Sequence, residues 1–328
     1  MKIGVTYDLR SDYLAEGYSM LETAEFDREE TIDSLDSSLK RLGHRTERIG
    51  NARRLIERLA QGGRWDIVFN IAEGLRGIGR EAQVPAILDV YDIPYTFSDP
   101  LVMSLTLHKG MTKSVIRDAG IPTTEFFVFE GKLDEGDIVF PPPFFIKPVA
   151  EGTGKGITPD SIIRRMGDLG PACVKMLAEN NQPVLIERYL SGREFTVGIT
   201  GTGPEAEIVG TMEVHLLPEA EQGVYSYANK ENCEEVVRYI IRKSHEETVV
   251  KRSEEVAINA WRALGCRDGG RVDIRCDENE NPYFLEVNPL AGLHPEHSDL
   301  PIISKGVGLG YHALIERILA SASKRIKK

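Results

Sequence analysis

The sequence predicts a mixed α/β (in part α+β) protein of more than one domain. Three observations carry this expectation. Strand-like and helix-like segments alternate through the first hundred residues, the pattern of parallel βαβ units. Farther on, strands follow one another with only turns between them, most clearly in "GGRVDIRCDENENPYFLEVNP" at 269–289. The chain has 328 residues, more than one ordinary core accommodates.

"KIGVTY" is the first strand, followed by an amphipathic helix over 26–42, the strand "WDIVFNI", a helix over 82–90 and the segment "IPYTF". "LHKGMTKSVIRDAGIPT" forms a helix closed by Gly120 and Pro122. Strands at "EFFVF" and "FFIKP" flank a Pro-rich turn, and a glycine-rich loop, a helix over 160–179 and the strand "VLIERYL" come next. Strands at "EFTVGIT" and "EIVGTME", a polar stretch over 215–236, a helix ending near Leu264, the 269–289 hairpin and a helix from about Val307 complete the chain.

Composition narrows the function classes. Apolar residues make up 41% and charged residues 28%, as in soluble globular proteins. No apolar run approaches the roughly 18 residues of a membrane span, and the first residues enter a strand without a signal-peptide core, so a cytoplasmic protein without membrane attachment is expected. The formal charge of −11 argues against a nucleic-acid partner, which needs a basic face. The basic end "SKRIKK" is a solvated helix terminus. Cys173, Cys233, Cys266 and Cys276 lack C-x-x-C spacing and are expected as reduced thiols, not as disulfides or zinc ligands.

The hairpin carries the first chemical signal. Alternate strand residues share a face, which groups Arg271, Asp273 and Arg275 on one run and Phe284, Glu286 and Asn288 on the other. Pairing brings Asp273 beside Glu286 and Asn288, a hard-oxygen set suited to Mg²⁺. Taken alone, the pattern fits the solvated face of an edge hairpin equally well. In "FFIKPVAEGTGKGI", Lys147 ends an apolar run and Gly152, Gly154 and Gly156 alternate, which can form an anion-binding nest or a flexible loop. The segment is no P-loop, because Gly156 and not Ser or Thr follows Lys155. Lys109 and Lys230 read as surface lysines from their surroundings alone. Glu187 ends one strand and Glu194 begins the next, where a carboxylate can meet ribose hydroxyls or simply line an edge. His294 and His297 in "HPEH" read as loop residues, Trp65 and Trp261 as core or boundary residues, and Ser191 as a turn residue.

In this order, "IPYTFSDPLVMSLTLHKGMTK", "FFIKPVAEGTGKGI", "VLIERYLSGREFTV", "LGCRDGGRVDI" and "YFLEVNPLAGL" resemble the ATP-grasp superfamily and, within it, the D-alanine–D-alanine ligases. The resemblance covers nearly the whole chain after about residue 65. It implies an ATP-grasp fold: a Rossmann-like N-terminal domain over 1–103, and two α+β domains, 104–190 and 191–328, with ATP between them. It implies an ATP-dependent carboxylate–amine ligase working through an acylphosphate. Lys109 and Lys147 would hold the α- and β-phosphates, with Glu151, Gly152, Thr153 and Gly154 in the loop over ATP. Glu187, Arg188 and Leu190 would meet adenine, Glu194 ribose, and Lys230 the γ-phosphate. Asp273, Glu286 and Asn288 would bind two Mg²⁺ ions, with Mn²⁺ as a substitute. Arg271 and the Gly292 N–H would stabilise the oxyanion. The partners implied are amino-acid substrates and, as in many members, a second copy in a homodimer.

The departures lie on the amino-acid side. The first strand runs into "YDLRSDYLAEGYSMLETAEFDREE", without the family's Gly-Gly turn and Ser-x-Glu, and leaves Glu25, Glu29 and Glu30 as substitutes for its ammonium-binding acid. "AEGLRGIGREA" replaces the H-G-x-x-G-E-D-G block. Thr153 stands in place of a substrate-contacting serine, and Ser298 is nearest to the family's hydroxyl-bearing loop. These changes leave open a ligase for a different amino acid, and a non-catalytic ATP-binding protein.

Overall fold

The protein, described here from a computed structural model, is defined over residues 1–134 and 136–326. Its first unit holds β1 (Lys2–Tyr7), α1 (Arg10–Ala15), α2 (Glu29–Arg41), β2 (Arg45–Gly50), α3 (Ala52–Ala60), β3 (Ile67–Ile71) and α4 (Gln83–Val90). The strands form a parallel sheet in the order β2-β1-β3. Parallel strands are covered on both faces, and β3 is buried at every position. Ile3, Val5, Ile67 and Phe69 face α2, whereas Val68 and Ala72 face Leu55 of α3 and Leu88 of α4. The "IPYTF" segment makes a single bridge, Tyr95 to Val68, and no strand.

Next come α5 (Pro100–Leu107), α6 (Lys109–Asp118), β4 (Phe126–Phe129), β5 (Phe144–Pro148), β6 (Ile162–Ile163), α7 (Met166–Asn180) and β7 (Val184–Arg188). Asp99 caps α5, accepting from the Val102 N–H ahead of Pro100 in the first turn. The four strands are antiparallel in the order β4-β7-β5-β6. Strand alternation sends Phe144, Ile146, Val184 and Ile186 into the core beneath α7, and turns Phe145, Lys147 and Glu187 to the opposite face, where they line a cleft. The helix expected from residue 160 starts only at Met166, because Ile162 and Ile163 pair with Phe145 and Phe144 as β6.

The last part comprises β8 (Glu194–Thr200), β9 (Glu207–Leu216), α8 (Tyr227–Glu231), α9 (Cys233–Val236), β10 (Val237–Arg242), α10 (Thr248–Leu264), β11 (Gly269–Cys276), β12 (Pro282–Asn288), α11 (Asp299–Gly306) and α12 (Tyr311–Ser323). Its antiparallel sheet runs β10-β9-β8-β11-β12. One face packs Phe195, Val197, Val272 and Ile274 against Val250, Ala257 and Trp261 of α10. From α11 and α12, Leu300, Leu314 and Ile318 share a core with the β1 and β3 side chains, so the C-terminal helices seal the first unit. All four cysteines are unpaired.

Two buried acids tie distant segments together. Asp268 is fully buried. It accepts from the Phe97 N–H at 2.7 Å, from Ser321 Oγ at 2.8 Å and from both ends of the Arg325 guanidinium. Glu187, 2% exposed, lies 2.9 Å from Lys113 Nζ and 3.0 Å from Lys147 Nζ. Lys113 in turn donates to Thr123 Oγ1, Thr124 Oγ1 and the Phe284 carbonyl, binding α6 to β7 and β12. Burial would raise the Glu187 pKa, but Lys113 and Lys147 outweigh it and hold the carboxyl at about 2.

Asp268→Ala strips a buried guanidinium and a buried N–H of their acceptor, and is expected to destabilise the fold by about 3 kcal/mol, measured as a lowered melting temperature. For Glu187 the native pKa lies below the ordinary glutamate value of about 4.3. Its stabilisation is present above that pH and is lost as pH falls toward 2. The stability difference between the wild-type chain and Glu187→Gln should therefore shrink steadily between about pH 4.5 and 2 in urea unfolding; a difference independent of pH would show that Glu187 is not an ionised partner of the two lysines.

Candidate ATP and metal site

The cleft lies between the β5–β7 face and the β8–β11–β12 face and encloses about 840 Å³ to its open mouth, within the range of cofactor sites. Seven of its lining side chains are lysines or arginines and five are carboxylates. A cation excess inside a chain of net charge −11 suits a polyanion. Lys109, Lys147, Glu151, Gly154, Glu187, Arg188, Leu190, Glu194, Lys230, Arg271, Asp273 and Glu286, scattered over 178 positions of the sequence, all line it.

The hairpin supplies the acids. Asp273 of β11 and Glu286 of β12 are direct cross-strand partners, a pairing that sets Cβ atoms roughly 5 Å apart. The register then slips: Ile274 opposes Phe284, leaving Leu285 as a bulge. This corrects the expectation that Phe284 shares a face with Glu286. Phe284 is fully buried beneath α10, and Leu285 and Glu286 both face the cleft.

Cations converge on this pair from four elements. Arg271 Nη1 contacts Asp273 Oδ2, and Thr196 Oγ1 donates to Asp273 Oδ1 at 3.0 Å. Lys109 Nζ and Lys147 Nζ lie 3.7 and 3.9 Å from Glu286 Oε2. Lys230 of α8 stacks on the Tyr225 ring at 4.7 Å. Burial would raise Glu286, but Lys109, Lys147, Lys230 and Arg271 overcome it and hold the carboxyl at about 2. Asp273 is raised, first by burial and then by the repulsion of Glu286, with Arg271 opposing. Burial lowers Lys109. In Lys147 the attraction of Glu187 and Glu286 exceeds the burial effect and keeps it above the ordinary lysine value.

At the other end, Phe145, Tyr189, Leu190 and Leu285 give the cleft an apolar lining. Arg275 Nη1 pairs with Glu194 at 3.0 Å and Nη2 donates to the Gly223 carbonyl. The glycine-rich loop closes over the cleft. Gly154 has φ +75°, and a Cβ there would meet the Tyr227 N at 2.9 Å, so only glycine lets the loop meet the 225–227 segment. Thr153 also has positive φ, and its buried Oγ1 has no hydrogen-bond partner among the described residues. The Gly152 N–H donates to Glu25 Oε1 at 2.7 Å.

The remaining candidates lie beyond the cleft lining. Asn288 Oδ1 accepts from the Leu290 N–H at 3.2 Å. Gly292 packs on Ser298, whose Oγ accepts from the His294 N–H at 3.0 Å. The His294 and His297 rings stack at 4.5 Å. Of the three acids left open at the N-terminus, Glu25 reaches the glycine-rich loop, Glu29 pairs with Arg48 at 3.1 Å, and Glu30 is exposed. The sequence grouped Arg275 with Asp273 on one strand face but gave no sign of Lys113 or Arg80 beside the site, because a lysine or arginine becomes recognisable as a positioning group only once its carboxylate partner is placed.

Comparison with known proteins places the chain in a family and agrees with the fold. The sequence model described as "D-ala D-ala ligase C-terminus" matches residues 115–320. An uncharacterized Sinorhizobium fredii protein, y4sG, is 31% identical over 260 residues, 79% of this chain and 75% of that protein. The D-alanine–D-alanine ligase of Bordetella petrii is 30% identical over 275 residues, 83% and 80% of the two chains. The crystal structure of the Bacillus anthracis D-alanine–D-alanine ligase complexed with ATP superposes with a TM-score of 0.75 at 21% identity, covering 99% of this chain and 98% of that one. With more than half its length matched by the family and an ATP-grasp architecture throughout, the chain belongs to the D-alanine–D-alanine ligase family.

Proposed function

We propose that this protein is an ATP-dependent carboxylate–amine ligase that forms an amide C–N bond and releases ADP and phosphate. The observation that carries the proposal is the convergence of Lys109, Lys147, Lys230 and Arg271 on the facing carboxylates Asp273 and Glu286. Family membership and the likeness to an ATP-bound ligase support it.

The first step is attack of a substrate carboxylate on the γ-phosphorus of ATP, which breaks the bond to ADP and gives an acylphosphate. Lys147, locked by Glu187, and Lys109, held by the Glu151 carbonyl, face the phosphate chain with fixed positive charge and neutralise the charge that develops. Lys230, on the short α8, reaches the terminal phosphate. An amine then attacks the acyl carbon, and phosphate leaves with the C–O electron pair. Arg271 and the Gly292 N–H stabilise the intervening oxyanion. The glycine-rich loop and the 215–236 segment exclude water from the acylphosphate. The backbone of Arg188–Leu190 meets adenine between Phe145 and Leu285, Glu194 meets ribose, and Thr153 and Ser298 face the amino acids.

The residues present fit Mg²⁺. Asp273 and Glu286 are hard oxygen donors facing one another. No three His, Cys, Asp or Glu among the described residues form a metal-ligating group, so the ions would draw further ligands from Asn288, phosphate oxygens and water. Bound Mg²⁺, two ions in this proposal and replaceable by Mn²⁺, supplies further charge neutralisation on the phosphates.

D-alanine is the substrate named for the Bordetella relative. The replaced N-terminal segment, with Glu25 engaged by Arg80 and Gly152, favours a second reading in which the same chemistry joins a different amino acid. The test is ADP release and product mass with Mg-ATP, across D- and L-amino acids offered singly and in pairs. One pair is expected to turn over, and Glu286→Gln should lower kcat by about 100-fold or more while nucleotide binding stays measurable. Tight ATP binding with no turnover on any pair would instead support a non-catalytic ATP-binding protein.

A further inference from the structure

Amide formation by this route leaves one proton without a destination. An amino acid reaches the site as an ammonium and attacks an acyl carbon only after losing a proton, so a base has to lie beside Arg271, where the oxyanion forms. Most carboxylates of the cleft are already committed. Glu187 is locked between Lys113 and Lys147, Glu194 pairs with Arg275, and Glu151 is held by Lys155 at 2.6 Å and by Gln182 at 2.7 Å. Asp273 and Glu286 face each other as the proposed metal ligands.

Asp299 remains. It opens α11, and its Oδ2 lies 3.4 Å from Arg271 Nε. Arg271 thus commits Nη1 to Asp273 and Nε to Asp299, and has Nη2 left for an oxyanion. A separation of 3.4 Å is too long for a strong hydrogen bond, so the Asp299 carboxylate keeps lone pairs to offer. With 16% of its side chain exposed, it is shielded from bulk water yet reachable.

A cavity on the far side of the cleft wall gives a ligand access to it. The Tyr225 hydroxyl lies 2.6 Å from that of Tyr239. Tyr225 lines the cleft, whereas Tyr239 lines a separate cavity of about 830 Å³ with Val237 and Ile241 of β10 and Ile302 of α11. Asp299 stands at this partition. It precedes Ile302 by one turn of α11, and its charge is the strongest acting on either hydroxyl. Burial, and then that charge, raise both phenols above the ordinary tyrosine value, so neither serves as a base at neutral pH. The cavity offers an amine an approach to Arg271 that does not pass the nucleotide.

Resting on the ligase reading, we propose that Asp299 is the base of the amide-forming step: it receives the ammonium of the attacking amino acid beside Arg271 and takes one of its protons. The freed lone pair forms the C–N bond to the acyl carbon, while the C=O pair moves onto the oxygen that Arg271 stabilises. Collapse of this intermediate restores C=O and breaks the C–O bond to phosphate. Phosphate departs with the electron pair and takes the second proton from nitrogen.

The test offers two acceptors to the full chain, with Mg-ATP and each D- and L-amino acid as carboxylate donor. One acceptor is a second amino acid, which arrives protonated. The other is hydroxylamine, which is uncharged near neutral pH and attacks without a base. Asp299→Asn should lower amide formation by about 100-fold or more, with KM for ATP unchanged, while hydroxamate formation stays close to wild type. Asp299→Glu should recover part of the amide formation, and His297→Asn, at a residue lining the second cavity, should leave both reactions unchanged. Loss of both products in Asp299→Asn would overturn the proposal and make Asp299 a positioning residue for Arg271, because attack by hydroxylamine also passes through the oxyanion. Full retention of amide formation, or its loss only in His297→Asn, would overturn it as well. A wild-type chain that forms neither hydroxamate nor ADP with any amino acid would overturn the ligase reading itself.

Discussion

Two carboxylates facing each other across adjacent strands, in a cleft that partly shields them from water, remain ionised only if cations surround them. The Asp273–Glu286 pair imposes that requirement on the whole molecule. Its own hairpin supplies Arg271, α6 supplies Lys109, β5 supplies Lys147 and α8 supplies Lys230. Each cation needs its own fixation. Glu187 clamps Lys147, and Lys113 completes the clamp from inside α6. The arrangement of the central and C-terminal sheets is thus the arrangement that closes one charge balance, and apolar packing beneath α7 and α10 holds it rigid.

The same strands serve both purposes because side chains alternate. In β5 and β7, Phe144, Ile146, Val184 and Ile186 go to the α7 core and Phe145, Lys147 and Glu187 to the cleft, which Pro148 and Arg188 also line at the strand ends. In β12 the alternation would have placed Phe284 beside Glu286, and the bulge at Leu285 prevents this. One inserted residue keeps an aromatic ring in the core and adds an apolar wall to the cleft.

Much of this was legible in the sequence where local pattern and final environment agree. "FFIKP" and "VLIERYL" begin as apolar runs, and the lysine and glutamate that break them are side chains that reach the cleft. The facing acids of the hairpin followed from period two. Other elements hid. Strand β2, "RTERIG", is an edge strand rich in charge, and β10, "VRYIIR", ends in Arg242, which pairs with the buried Glu213. The bulge left no mark, since a register slip depends on the partner strand. Arg80 sits in a segment without periodicity, so its meeting with Glu25 arises only from the fold that returns β3 to α4.

The Gly152 amide has one proton to share. At rest it is given to Glu25, a residue far away in sequence whose other oxygen is held by Arg80. An anion that takes this proton must first release Glu25, and by thermodynamic reciprocity whatever recaptures Glu25 weakens the loop's hold on that anion. In the ligase we propose, nucleotide binding and the N-terminal segment would be linked through a single backbone N–H, each altering the affinity of the other.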